Sequence, residues 1–194
     1  MNTHFRSPSF RQRLLTALAL WSVLPVAMAH PGHGGGLAEG LLHPLTGLDH
    51  LLAMITAGLL LGRHLRHPVS GVLIFVAAFG IGLILASTGS GLPGMEYALI
   101  ATVPLAGLIL WRVRTLPAKG LLGGLALVAT LHGLAHGFEA PAMQALYWQS
   151  GAVLMVLFVT GLAAGIGHTL RDHPTWLQRT GLGVFGMGMI LLGS

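Results

Sequence analysis

The 194-residue chain is 54% hydrophobic and only 8% charged, against the roughly 25% charged residues of soluble domains, which excludes an ordinary soluble protein and leaves an integral membrane protein. Its net charge of +5 comes from ten Lys and Arg set against five acids; in a membrane protein such basic residues mark cytoplasmic loops, so no nucleic-acid-binding patch is read from them. There is no cysteine, which excludes disulfides, thiolate metal sites and iron–sulfur clusters on this chain, whereas eleven histidines are a conspicuous excess.

The first 29 residues have the form of a signal peptide. Arg6, Arg11 and Arg13 make a basic region, "LLTALALWSVL" is an apolar run of eleven residues, and Ala27 to Ala29 fit a small-x-small cleavage site. The run is short for the ~20 residues of a membrane span, so cleavage is expected over an uncleaved anchor. Cleavage after Ala29 would make His30 the new N-terminus, whose amine and ring together chelate a metal, with His33 close by in "HPGHGGG".

Residues 30–194 then read as a single transmembrane domain. Six apolar segments follow, at about 41–62, 68–88, 93–111, 119–139, 147–168 and 175–193, each near the length a helix needs to cross hydrocarbon. The fold class expected is an all-α integral membrane protein, a compact bundle of about six transmembrane helices. The sixth segment is the weakest, because only fifteen residues follow Arg179, so that it needs Trp176 and Leu177 as an interfacial foot, and five spans are the alternative.

Charge tests the segmentation independently. Arg63 and Arg66 follow the first segment, Arg112, Arg114 and Lys119 the third, and Arg171 and Arg179 the fifth, while "TGSGLPGME" and "FEAPAMQAL" carry no basic residue. The basic loops are therefore expected in the cytoplasm, with the mature N-terminus and the two uncharged loops outside, in the periplasm of a bacterial-type inner membrane. Glycines recur at four-residue spacing, Gly120 with Gly124, Gly133 with Gly137 and Gly161 with Gly165, the pattern that lets helix backbones approach closely in lipid.

An ionisable residue inside a span costs several kcal/mol, about 2.5–3.5 on insertion scales, unless it faces a cavity or a partner. Two groups stand out. In the first segment, His43 and His50 lie seven residues apart, about two turns, so one continuous helix would put them on one face with Asp49 about 100° around, and Pro44 fits near the helix start. In the fourth, "HGLAHGFE" places His132, His136 and Glu139 in one stripe. The first segment begins on the side where the fourth ends, so His50 and His132 lie at similar depth, and Glu96 at the start of the third segment shares that half of the bilayer.

Imidazole and carboxylate donors without thiolate suit Ni, Co, Zn, Mn or Fe as divalent ions. For one histidine, hydrogen bonding that merely fixes packing is the simpler explanation; four histidines and three carboxylates at matching depth favour a shared metal site. His64, His67, His168 and His173 stand among arginines at the other membrane face, where an interfacial role fits better than an exit site.

"HPLTGLDHLLAM", "HGLAHGFE" and "LPGMEYALIATV" resemble signature stretches of the HupE/UreJ family of nickel and cobalt permeases, which accompany hydrogenase and urease systems. The similarity runs over nearly the whole chain, including the leader that ends in Ala before "HPGHG". The resemblance implies His43, Asp49, His50, Glu96, His132, His136 and Glu139 as the functional set. It does not choose between nickel and cobalt.

The expected function is a secondary or facilitated transporter, not an enzyme. It would import Ni²⁺, or next Co²⁺, across the inner membrane for hydrogenase or urease maturation. The metal is cargo and no prosthetic group is expected. Partners would be the ion, the bilayer and cytoplasmic metallochaperones. No Walker A motif is present, so coupling would come from the membrane potential, a cation gradient or cytoplasmic trapping. The alternative is a membrane-embedded zinc hydrolase on the same cluster with Glu139 as general base; no HExxH supports it, and seven ligand-type residues exceed what a catalytic site needs. A metal or pH sensor is a third reading, disfavoured by the scarcity of soluble sequence.

Overall fold

A computed structural model describes residues 36–89, 93–112 and 114–194. The leader, its cleavage site, His30 and His33 lie outside the described residues. Those described form seven helices and no strand: α1 (Leu37–Thr46), α2 (Leu48–His64), α3 (Pro68–Ala86), α4 (Met95–Arg112), α5 (Ala118–Glu139), α6 (Ala145–Thr169) and α7 (Pro174–Gly193). Proline opens α3 and α7, where its missing N–H costs no helix bond. Helices α3 to α7 match the last five apolar segments to within about two residues at most ends, because apolar length is the quantity a membrane selects.

The first segment departs from expectation. It is two helices, not one, bent by 85° at Gly47, whose backbone is extended at φ −86°, ψ 116°. Pro44 is accordingly not at a helix start. It lies buried inside α1, which begins upstream at Leu37, and its missing N–H removes a helix bond three residues before the break.

Four helices, α3, α4, α5 and α6, are each long and apolar enough to cross a membrane, and the bent pair α1 and α2 makes a fifth if counted as one span. The described residues therefore hold four to five such spans where six segments were expected. Helix α7 falls short in apolarity because Gln178 and Arg179 stand in its first two turns. The chain is a multi-pass membrane protein, and large apolar side chains such as Val69, Ile84, Leu127 and Ile190 are exposed on its helices, as a lipid-facing surface requires.

The bundle is built from close helix pairs: α3 along α5, α4 along α7, and α6 along both α1 and α2. Small residues set these pairings. A side chain at Gly58 or Gly62 of α2 would strike the α6 backbone at Thr160 and Ala164, and one at Gly82 or Gly133 would strike the facing backbone of α5 or α3. Of the three glycine pairs singled out in the sequence, Gly133 with Gly137 does face α3, but Gly124, Gly161 and Gly165 have open space before them and Gly120 meets only Pro117 of its own turn. Spacing alone does not say which face of a helix has a neighbour.

The bends and pairings give the bundle two chemically different ends. The start of α2, the start of α4 and the end of α5 converge at one, around a cavity. At the other, Arg63 donates from Nη1 to the Leu110 carbonyl at 2.7 Å and Arg171 from Nη2 to the Leu65 carbonyl at 3.3 Å. These guanidinium groups satisfy carbonyls at the ends of α4 and α2 that have no partner within their own helices.

Candidate metal centre

The site is assembled where α1 breaks from α2. A break inside a membrane span leaves backbone groups unsatisfied, which is tolerated where they line a cavity. Thr46 and Gly47 do line one, of about 410 Å³, together with His43, Asp49, Glu96 and Glu139. The negative C-terminal end of the α1 dipole and the positive N-terminal end of the α2 dipole meet at this break, so the carboxylates on the cavity wall decide its preference for a cation. Thr46 donates its hydroxyl to the His43 carbonyl at 2.7 Å, fastening the last turn.

His43 from α1 reaches across to α5. Its Nε2 donates to Glu139 Oε2 at 2.7 Å, and the same carboxylate oxygen lies 3.6 Å from His136 Nδ1, too far for a hydrogen bond. His43, His136 and Glu139 offer one donor atom each, all within 4.8 Å of one another. His136 is buried, and its Nδ1 has no hydrogen-bond partner.

The second half of the cluster lies behind the first. Asp49, in the first turn of α2, accepts from His50 Nδ1 at 2.9 Å, and His50 Nε2 is buried without a partner. The His50 ring lies 4.5 Å from the His136 ring and 4.9 Å from the His132 ring, centre to centre. His132 is buried and its Nε2 is 3.1 Å from Thr102 Oγ1 of α4. Four imidazoles thus form a continuous series, His43, His136, His50, His132, with each ring 4.5 to 4.9 Å from the next.

Six of the seven residues expected from the sequence therefore meet through side-chain contacts, and the seventh, Glu96, stands on the wall of the same cavity. The reason for the meeting differs from the one expected. His43 and His50 do not share a face of one helix; each approaches His136 from a different side of the break at Gly47.

Three further residues belong to the site. Thr102 holds His132, the Trp148 ring packs 4.7 Å from His43, and Phe79 packs 5.4 Å from His136. Thr102 follows Glu96 in the same motif and is a hydroxyl within an apolar span, a signal the sequence did carry. The pairing of Trp148 with His43 depends on how α1 folds against α6, which the sequence does not display. At the opposite end, His64 Nε2 and His168 Nδ1 are buried without partners, so these two rings are less solvated than an interfacial role implies.

Residues 18–192 match the family described as HupE / UreJ protein. The chain is 33% identical over 158 residues to Protein HupE of Rhizobium leguminosarum bv. viciae, across 77% of this chain and 81% of that protein. No solved structure matches it.

Proposed function

Because the chain belongs to the HupE/UreJ family, we propose that it carries a divalent transition metal, Ni²⁺ first and Co²⁺ next, across a bacterial inner membrane. The observation that carries this reading is the convergence of His43, His136 and Glu139, from two helices, to donor separations within 4.8 Å. Two imidazoles and a carboxylate match the preference of these ions for nitrogen and oxygen donors. A partly filled coordination shell also suits a carrier, which must release what it binds.

In this reading the cavity opens to the periplasm and the arginine-rich end faces the cytoplasm. The three carboxylates on the cavity wall attract the cation. It sheds water onto His43 and Glu139 and proceeds inward along the imidazoles. His30 and His33 would capture metal ahead of the cavity, and cytoplasmic metallochaperones of hydrogenase or urease maturation would take it up beyond.

Uptake of radioactive nickel and cobalt at low external metal tests the proposal in cells expressing the chain. Accumulation is expected with the wild type and is expected to be lost in His43→Ala with normal protein levels. Unchanged accumulation in that variant would overturn it. Zinc bound stoichiometrically in purified protein, with no metal flux into liposomes, would point instead to a hydrolase.

A further inference from the structure

His50, His132 and His136 surround a small cavity of about 10 Å³, walled elsewhere by apolar side chains that include Met54, Phe79 and Val156. Such a volume admits about one water-sized sphere. It is distinct from the wide cavity at the mouth, which His132 does not line.

The spacing of the His50 ring to each of the other two rings fits a shared ion. An imidazole nitrogen sits ~2.0–2.1 Å from bound zinc and its ring centre about 1.1 Å further, so two rings on one ion at roughly 90–109° have centres about 4.5–5.2 Å apart. The His50 ring is 4.5 Å from that of His136 and 4.9 Å from that of His132. His132 and His136 are also four residues apart on α5, the spacing at which two histidines of one helix grip a metal.

Two hydrogen bonds determine which nitrogens are free. The Thr102 hydroxyl donates its one hydrogen to the Leu99 carbonyl at 2.6 Å, so at 3.1 Å from His132 Nε2 it acts as acceptor. His132 therefore carries its proton on Nε2, and Nδ1 keeps a lone pair. The Asp49 carboxylate likewise accepts from His50 Nδ1 at 2.9 Å, which leaves the lone pair of His50 on Nε2, the buried atom without a partner. Packing alone gives no reason to leave that atom unsatisfied.

We propose that His50, His132 and His136 form a second, inner station for the same divalent cation, with Asp49 and Thr102 as positioning residues that set the two tautomers. The proposal rests on reading the cluster as a metal path. His136 belongs to both stations. An ion moving inward gives up His43 and Glu139 and gains His50 and His132 while His136 stays bound, and neither incoming nitrogen has to lose a proton first, because both already hold lone pairs. Asp49 supplies the compensating negative charge through His50.

The test is cobalt titration of the purified full chain, read by Co²⁺ absorption, with ring nitrogen NMR on the metal-free protein. The double variant His43→Ala, Glu139→Gln is expected to retain one Co²⁺ site. Adding Thr102→Val is expected to weaken that site about 10- to 100-fold, as loss of an outer hydrogen bond to a metal-binding histidine does, while Thr102→Ser retains it. In the wild type, His132 is expected as the Nε2–H tautomer and His50 as the Nδ1–H tautomer. Loss of all Co²⁺ binding in the double variant, unchanged affinity with Thr102→Val, or the opposite tautomers would each overturn the inner station. Metal uptake by cells is measured alongside: a wild type that binds Co²⁺ at both levels but accumulates no metal would overturn transport and leave the inner station standing.

Discussion

Glu139, His43 and His136 form a gradient from water to interior, with side-chain exposures of 47%, 34% and 2%. The carboxylate at the outer end supplies the negative charge and the buried imidazole the dry ligand, an order suited to stepwise loss of water from a cation. Glu139→Gln keeps the shape and removes the charge. Uptake at low external metal is expected to fall at least tenfold, of the order of one lost charge-assisted contact, with protein levels unchanged. Asp172→Asn, an exposed acid between α6 and α7 at the other end, is expected to leave uptake within about twofold; radiometal accumulation in the two strains checks both. At this scale the sequence was highly informative, because an acid or histidine in an apolar span is conspicuous by type alone. It was silent on roles: that Asp49 bonds His50, and that Thr102 bonds His132, follows from geometry that no spacing contains.

The break at Gly47 is what brings α1 and α2 to the cluster from different sides. A Cβ at Gly47 would lie 3.0 Å from Asp49 Oδ1 and 3.1 Å from His50 Nδ1, and the φ of −86° is open to any residue. Gly47→Ala is therefore expected to disturb the Asp49–His50 pair without breaking the fold: metal affinity falls while the protein extracts and elutes as the wild type does, checked by cobalt titration and size-exclusion chromatography. Helix contacts make a second comparison. Gly133→Leu would drive a side chain into the α3 backbone at Phe79, whereas Gly161→Leu enters open space. The first is expected to lose at least the roughly 1–3 kcal/mol typical of overpacking and the second almost nothing, as thermal unfolding in detergent would register. The helices themselves were legible from apolar length. The break was not, since one glycine in "HPLTGLDH" fits a continuous helix as well as a bent one, and the helical period carried across it put His43 and His50 on a common face they do not share.

Across the whole molecule, the sequence showed sidedness through its basic residues and the meeting of the first and fourth segments through matching depth. Which helices lie side by side was not legible, because lipid-facing and helix-facing positions are both apolar and small residues occur on both. Helix α7 shows the consequence. Its composition falls short of a span, yet it packs along α4, where Gly181 and Gly188 lie against Gly107 and Pro104, and its far end, Leu191 and Ser194, lines the same cavity as Glu96. Its start follows the turn in which Arg171 bonds the end of α2. Helix α7 therefore runs from the arginine-rich end of the bundle to the cavity end, and packing against α4 would offset its polar first turns. The chain has no cysteine, so single substitutions can be labelled without background. Ser194→Cys is expected to react with a membrane-impermeant thiol reagent from the same side as Tyr97→Cys, an exposed position beside Glu96, and His173→Cys from the opposite side. Labelling of Ser194→Cys and His173→Cys from one side would mean that α7 does not cross, and the C-terminal end would then have to reach the cavity from elsewhere.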